Sequence, residues 1–495
     1  MKTRKTLSIL LLTFILLSSF ASCGTSSPDE TATADTTQDI AVETETETKI
    51  EPDLPDISFG GTEINIISRE GDVVQYYSNE ISTDGEVGEA VNDAIYRRNM
   101  TVEDQFDIVI CDYPEADPGS VLAKNVVAGD DTYSIVVDRY KSIATMIQKQ
   151  YLMGFQDIPY VDLAKPWWNE SAMNAISLYG ENYIGMSDIL LNDKQRTYCT
   201  IVNKDLLAEY NMDAPYDIAR EGKWTLDVMK TMAANVISDL NGDGTMDASD
   251  QYGICTEKYC SYVFFMGAGA RMTENDADGK PVPVLYNERN VSILDTILQI
   301  LTDKSMTGLA EEVKNPADGS IYWRLGIDLM SENRTLFVMG VVSWIQDIMQ
   351  NSDANPGVLP IPKYDESQKN YQTIVQTTQG NGLVVPIILT SEKLEIAGIV
   401  LEAMSAYSHE YVLPEYITTT VKSRYAVDME SAEMLGILFD GITYDLGSIY
   451  NWGGMLDLLI DDAYQNNSNG IASAYAAKEK GIISAIETAV ENYNQ

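Results

Sequence analysis

The run Asp239-Leu240-Asn241-Gly242-Asp243-Gly244-Thr245-Met246-Asp247-Ala248-Ser249-Asp250 places side-chain oxygens at loop positions 1, 3, 5, 9 and 12, with glycine at position 6. A hard cation needs that many oxygens converging within ~2.3–2.6 Å, and Gly244 allows the turn that gathers them. The spacing predicts a calcium loop whose ligands are Asp239, Asn241, Asp243, Thr245 through its carbonyl, Asp247 and Asp250. Asp250 is a shorter arm than the usual glutamate, which shifts affinity toward ~10⁻⁴–10⁻³ M. A single loop of this kind is a structural staple rather than a switch.

A second group of residues suits sugars, which are held by flat aromatic faces and by planar hydrogen-bonding groups around their hydroxyls. Candidates are Tyr76-Tyr77, Trp167-Trp168, Tyr262, Phe264-Phe265, Trp323, Trp344 and Trp452. Aromatic type alone does not separate a ligand-facing ring from a core ring. Catalytic signatures are weak. No carboxylate pair stands out among 75 acidic residues, and the lone histidine, His409, lies in a helix-like stretch that favours a surface or core role. No nucleophile elbow, phosphate loop or zinc spacing occurs, and Gly267-Ala268-Gly269 is too little for a dinucleotide site. Cys111 and Cys199 read as core residues, while Cys255 and Cys260 could in principle pair in an exported protein.

These residues need elements to position them. Thr62–Ile67, Phe106–Ile110 and Tyr133–Val137 read as strands, separated by helical patterns over 87–104 and 118–128. Strands alternating with helices predict an α/β fold built on open, mainly parallel sheets with helices on both faces. Ligands of such sheets bind beyond the carboxyl ends of the strands, where Ser68, Arg69, Asp138, Arg139 and Tyr140 follow. Position alone also offers Trp167. A second series runs through a strand at Arg196–Val202, a helix capped by Thr225, a long helix over 290–301 and strands near Val358 and Val384.

The first residues are a basic start, an apolar run of 14 residues from Leu7 to Phe20, and Ala21-Ser22-Cys23. The run is short of the ~20 residues that span a bilayer as a helix. Residues 1–22 therefore read as an export signal, and Phe20-Ala21-Ser22-Cys23 resembles a bacterial lipobox that would leave lipid on Cys23. Residues 23–56, rich in Thr, Ser, Asp and Glu, read as a disordered acidic stalk. This places the folded part at the cell surface, on the outer face of the cytoplasmic membrane. The net charge of −42 argues against nucleic acid as a partner.

Ile201-Val202-Asn203-Lys204-Asp205-Leu206-Leu207, Lys223-Trp224-Thr225-Leu226-Asp227, Gln251-Tyr252-Gly253-Ile254 and Gly357-Val358-Leu359-Pro360-Ile361-Pro362-Lys363, with Trp452 near the end, resemble the ordered motifs of maltose-binding-protein-like extracellular solute-binding proteins of ABC importers. The resemblance implies a two-lobed periplasmic-binding-protein-like fold, each lobe with its own core, joined by a hinge. Lobe 1 would take 57–190 and 378–425. Lobe 2 would take 191–377, with the C-terminal helical part 426–495 mainly on it. The crossings would fall near Asp188–Gln195, Thr377–Leu383 and Ser423–Met429. It implies that Asp138 and Arg139 meet ligand hydroxyls, that Tyr262, Trp344 and Trp452 form walls or stacking faces, and that a monomer delivers a mono- or oligosaccharide to a permease. The rival readings are an exported calcium-dependent carbohydrate enzyme and a surface adhesion module.

Overall fold

The computed structural model describes residues 51–70, 80–313, 321–418, 428–466 and 470–491. The export signal, Cys23, the stalk up to residue 50, Tyr76-Tyr77 and most of the third crossing lie outside the described residues.

The βαβ pattern of the first 90 described residues builds the first sheet. Strand β1 (Thr62–Arg69) leads through helix α1 (Ala90–Phe106) to β2 (Ile108–Glu115), and α2 (Pro118–Ala128) leads to β3 (Ile135–Arg139), after which α3 (Tyr140–Gln148) begins at once. Asp117 caps α2 by accepting the Ser120 N–H at 3.2 Å, and Gly129 ends it at φ 68°. β1 pairs in parallel with both β2 and β3, burying Ile64, Ile66 and Ile67. The fourth strand, Asn381–Val384, comes from far along the chain and pairs antiparallel to β3.

The second sheet contains β4 (Tyr198–Asn203), β5 (Tyr252–Thr256), the short strand Thr307–Leu309, the strand Thr335–Val341 and Pro356–Leu359. In chain order, β6 (Thr273–Asn275) and β7 (Pro281–Pro283) form a separate hairpin; the remaining strands are then β8, β9, β10 and β11. The order is β10-β4-β9-β5-β8, with β5 parallel to both neighbours and β4 antiparallel to both of its own. This sheet is thus evenly mixed, because β4 enters it from the first half running against β9. β9 is buried along its whole length, as expected of a strand covered on both faces.

The chain leaves the first sheet after Gly185, which still pairs with Leu383, and enters the second at Tyr198. It returns between β10 and β11. The two crossing segments pair with each other as a short ribbon: Tyr198 N donates to Ile374 O at 3.0 Å and Gln376 N to Arg196 O at 3.0 Å. Across this ribbon the cores do not stay separate. Buried apolar side chains of both sheets form one connected cluster, because Ile184, Ile374, Val375 and Leu383 in and beside the ribbon are themselves buried. The two halves therefore share a continuous apolar spine.

Candidate functional site

In the first half, the ends of β1 and β3 present Arg69 and the Asp138-Arg139-Tyr140 step. Arg69 is buried and reaches the ribbon, its guanidinium donating to the Gln379 carbonyl at 3.5 Å and to Gln379 Oε1 at 3.3 Å. Asp138 is fully buried and faces its own half: its carboxylate accepts the Gly119 N–H at 3.0 Å and the Arg139 N–H at 2.7 Å. Burial raises its pKa, with the hydrogen bonds from Ser142 and the backbone working against that shift. Asp138 ties α2 to α3 and is not free to meet ligand hydroxyls. Arg139 keeps its side chain 38% exposed, with Nε 4.0 Å from Asp138.

The second half contributes the ends of β5, β8 and β9, which run parallel and so finish on one edge. Glu257 and Tyr259 follow β5, Glu311 follows β8, and Ser343 and Trp344 follow β9. Tyr259 spans to the ribbon, its hydroxyl 3.1 Å from Thr377 Oγ1, while its ring stacks on Tyr198 at 5.7 Å. Arg196 on the ribbon donates to Ser343 Oγ at 3.3 Å. Trp323 is half-buried and stacks on Trp344 at 6.3 Å. Glu311 accepts the Lys258 N–H with both oxygens, at 3.0 and 3.2 Å. The Glu257 carboxyl makes no hydrogen bond to another described residue. Burial, and then the charge of Glu311, push its pKa up to about 8, so at neutral pH it is largely a neutral acid able to donate as well as accept.

The ribbon thus joins the strand ends of the two sheets: Arg69 reaches it from one half and Tyr259 from the other, with Arg139 at the end of β3, Glu257 just after β5, and Trp323 stacked on Trp344 just after β9. Glu257, Tyr259 and the ribbon residues Thr377 and Gln379 were not singled out from the sequence. The recoverable signal was β5 itself: once Tyr252–Thr256 is a strand, the residues just after it fall at a ligand-binding edge.

Most of the aromatic residues proposed from sequence lie in the core. Tyr262 and Phe265 sit on the helix Cys260–Gly267, all eight residues of which are buried. Trp452 is buried and stacks on Tyr450 at 4.6 Å. Trp167 and Trp168 donate both indole N–H groups to Glu402, at 3.1 and 2.9 Å, and so serve the packing of the first half. Trp344 is the inner, buried partner of Trp323. In each case a large apolar ring is worth more buried than exposed, and the polar handles of the Trp167-Trp168 pair find an internal partner. Cys255 and Cys260 are buried thiols and form no disulfide with each other. His409 pairs with Asp188 on the way into the ribbon, Nδ1 to Oδ2 at 2.7 Å.

In the loop Asp239–Asp250 the carboxylates order the backbone. Asp239 accepts the N–H groups of Gly242 and Gly244 at 2.7 and 2.8 Å, Asn241 that of Asp243 at 2.9 Å, and Asp243 that of Thr245 at 2.8 Å. Asp250, fully buried, accepts from Leu240 at 2.9 Å and Asp247 at 2.8 Å. Among the described residues no group of three or more His, Cys, Asp or Glu side chains is gathered as at a metal centre. The donor set is nonetheless all oxygen, and each oxygen that accepts one N–H keeps a second lone pair.

No family model matches the chain, and no curated protein matches it. Solved structures do. A cyclo/maltodextrin-binding protein complexed with maltotetraose is 16% identical at a TM-score of 0.55, over 87% of this chain and 96% of that one. UgpB from Mycobacterium tuberculosis in complex with glycerophosphocholine is 11% identical at 0.52, over 86% and 98%. An ABC substrate-binding protein from Listeria monocytogenes in complex with cycloalternan is 14% identical at 0.50, over 88% and 98%. The chain therefore has the two-lobed α/β fold of these solute-binding proteins.

Proposed function

We propose that the chain is the solute-capturing component of an ABC importer and takes a mono- or oligosaccharide into a crevice above the ribbon. The observation that carries this reading is the meeting of three strand ends of one sheet and two of the other over paired crossing segments, with a half-exposed Trp323, a bridging Tyr259 and a Glu257 carboxyl that makes no hydrogen bond among the described residues. Such a crevice offers an apolar face and mixed donors and acceptors, which is what a polyhydroxylated ring needs. The solved structures of this fold that hold maltotetraose and cycloalternan support a saccharide; the one holding glycerophosphocholine keeps other polar solutes in view. Capture works by population shift: the ligand favours the closed form only through contacts made to both halves. No step of bond breaking is assigned to the crevice.

The remaining features follow the same reading. Cys23 carries lipid and the stalk tethers a monomeric clamp near its permease, raising the local concentration of loaded protein. No described helix is long and apolar enough to cross a membrane. The loop Asp239–Asp250 holds a calcium ion as a brace, with its backbone already ordered by the same side chains. Chelation should then lower Tm by a few degrees without changing ligand selectivity.

The test is a thermal-shift screen of the intact chain with maltotetraose, cycloalternan and glycerophosphocholine, run beside an assay for reducing-end release. Ligand-dependent stabilisation without turnover supports the clamp, and stabilisation by ligand at 100 times Kd should reach ~2.7 kcal/mol. Release of reducing ends would support the enzyme reading instead. Binding only to immobilised glycan, with no soluble ligand effect, would support adhesion.

A further inference from the structure

The hairpin β6–β7 belongs to the second half at its base and touches the first half at its tip. At the base, Arg271 donates to Gln372 Oε1 at 2.9 Å and to Thr443 Oγ1 at 3.0 Å, beside the ribbon. Asp445 then holds the first strand, accepting from Met272 N at 2.7 Å and from Thr273 Oγ1 at 2.7 Å. The tip is the turn Asp276–Gly279, where Asp276 accepts the N–H groups of Asp278 and Lys280, each at 2.9 Å.

The tip meets the turn Leu178–Glu181, which is anchored in the first half: Gln156 Nε2 donates to Gly180 O at 2.8 Å, and Phe155 N to Asn182 O at 2.8 Å. Across the junction, Tyr179 N donates to Gly279 O at 3.1 Å and Asn275 Nδ2 to Ser177 O at 3.4 Å. Gly279 has φ 77°, and a Cβ there would stand 3.1 Å from Tyr179 Cα and 3.4 Å from Gly180 N. The approach is backbone to backbone, and a side chain at 279 would meet both a positive φ and the Tyr179 backbone. Tyr179 itself sits at φ 53°, an unusual conformation for a bulky residue.

We propose that the β6–β7 hairpin is a closure latch, a contact between the halves that is made when the clamp is shut and broken when it opens. The lever arm supports this. Four steps of extended chain from Met272 to Asp276, at ~3.3 Å each, put the tip roughly 13 Å from its base beside the ribbon. A rotation of about 15° on that arm moves the tip by roughly 3 Å, enough to part a hydrogen bond of 3.1 Å. The latch touches none of the crevice residues, so it biases closure without contacting ligand. It rests on the hinge-closure reading but not on the identity of the solute.

The test needs no ligand. Small-angle scattering of the intact chain is compared for the wild type, Gly279→Val and Gly129→Val. Gly129 also has positive φ, 68°, but no atom within 4 Å of its Cβ position, so it controls for backbone strain alone. Gly279→Val is expected to raise the radius of gyration above wild type and to speed exchange of the Tyr179 amide on the order of tenfold. Gly129→Val should do neither. Faster Tyr179 exchange at an unchanged radius of gyration would mean a fixed contact that does not gate opening, and it would overturn the latch. An unchanged Tyr179 amide would overturn it too. Either result stands whether or not a saccharide binds.

Discussion

Two pairs of tryptophans have opposite fates in this molecule. Trp167 and Trp168 are adjacent in sequence, both buried, and both indole N–H groups are taken by the one buried carboxylate Glu402. Trp323 and Trp344 are 21 positions apart and stack at the end of β9, with Trp344 inside and Trp323 half-exposed. The difference lies in the supporting shell rather than in residue type. Where the protein supplies an internal acceptor, an aromatic residue becomes architecture; where it leaves a ring face open, the residue is available to a ligand.

The largest effect should come from taking away the shell of the first pair. Glu402→Ala strands two buried indole N–H groups and the Asp162 N–H, which donates to it at 3.2 Å. The expected loss is about 3–5 kcal/mol, read by urea unfolding. Glu402→Gln, which keeps the shape and one acceptor, should lose clearly less. Equal losses would mean that the carboxylate merely fills space.

Exchanging the tryptophans sharpens the contrast. Trp452→Ala should cost about 3–5 kcal/mol of stability because that ring is core. Trp323→Ala should cost under about 1.5 kcal/mol yet weaken saccharide binding roughly tenfold, measured by calorimetry. A Trp323→Ala protein that binds as well as wild type would remove this ring from the site.

Glu257 separates the crevice from the core by pH. Its folded pKa is raised to about 8, so the folded state holds this proton more tightly than the unfolded state does. The stability it contributes is fully present below ~4.3, the ordinary glutamate value, and is lost as pH rises through about 8. Tm of the wild type should therefore fall more steeply than that of Glu257→Gln between those limits. Parallel Tm curves would place the proton elsewhere.

The alternation of strands and helices was legible wherever the sheet kept its simple order, from β1 to β3. β9 was not: Thr335–Val341 is buried at every position and apolar after its first residue, and a strand buried on both faces lacks the period of two that distinguishes it from a buried helix. The site was legible by place more than by residue. Arg69 and Arg139 follow strands visible in the sequence. Tyr259 and Thr377, 118 positions apart, meet only through the ribbon, and Glu402 lies 234 and 235 positions from the tryptophans it holds. No local pattern encodes such partners, which is why Trp167 looked like a ligand face until its acceptor was known.

The smallest effect tests whether the approach to the ribbon belongs with the core or with the crevice. Asp188 lies between Gly185, which still pairs with the first sheet, and the ribbon, and its hydrogen bond raises the pKa of His409. A raised folded pKa favours the protonated imidazole, so this stabilisation is fully present below ~6.5 and fades as pH climbs past the folded value. The imidazole is 44% exposed, and solvent screening limits the gain to a few tenths of a kcal/mol. Because the chain has one histidine, a single imidazole resonance reports this titration. His409→Gln should destabilise at pH 5.5 and be nearly neutral at pH 8.5. If its cost is the same at both, the imidazole is held by packing, and this segment is an extension of the rigid first half; if the cost vanishes at high pH, charge alone ties it down and it is free to flex with the hinge.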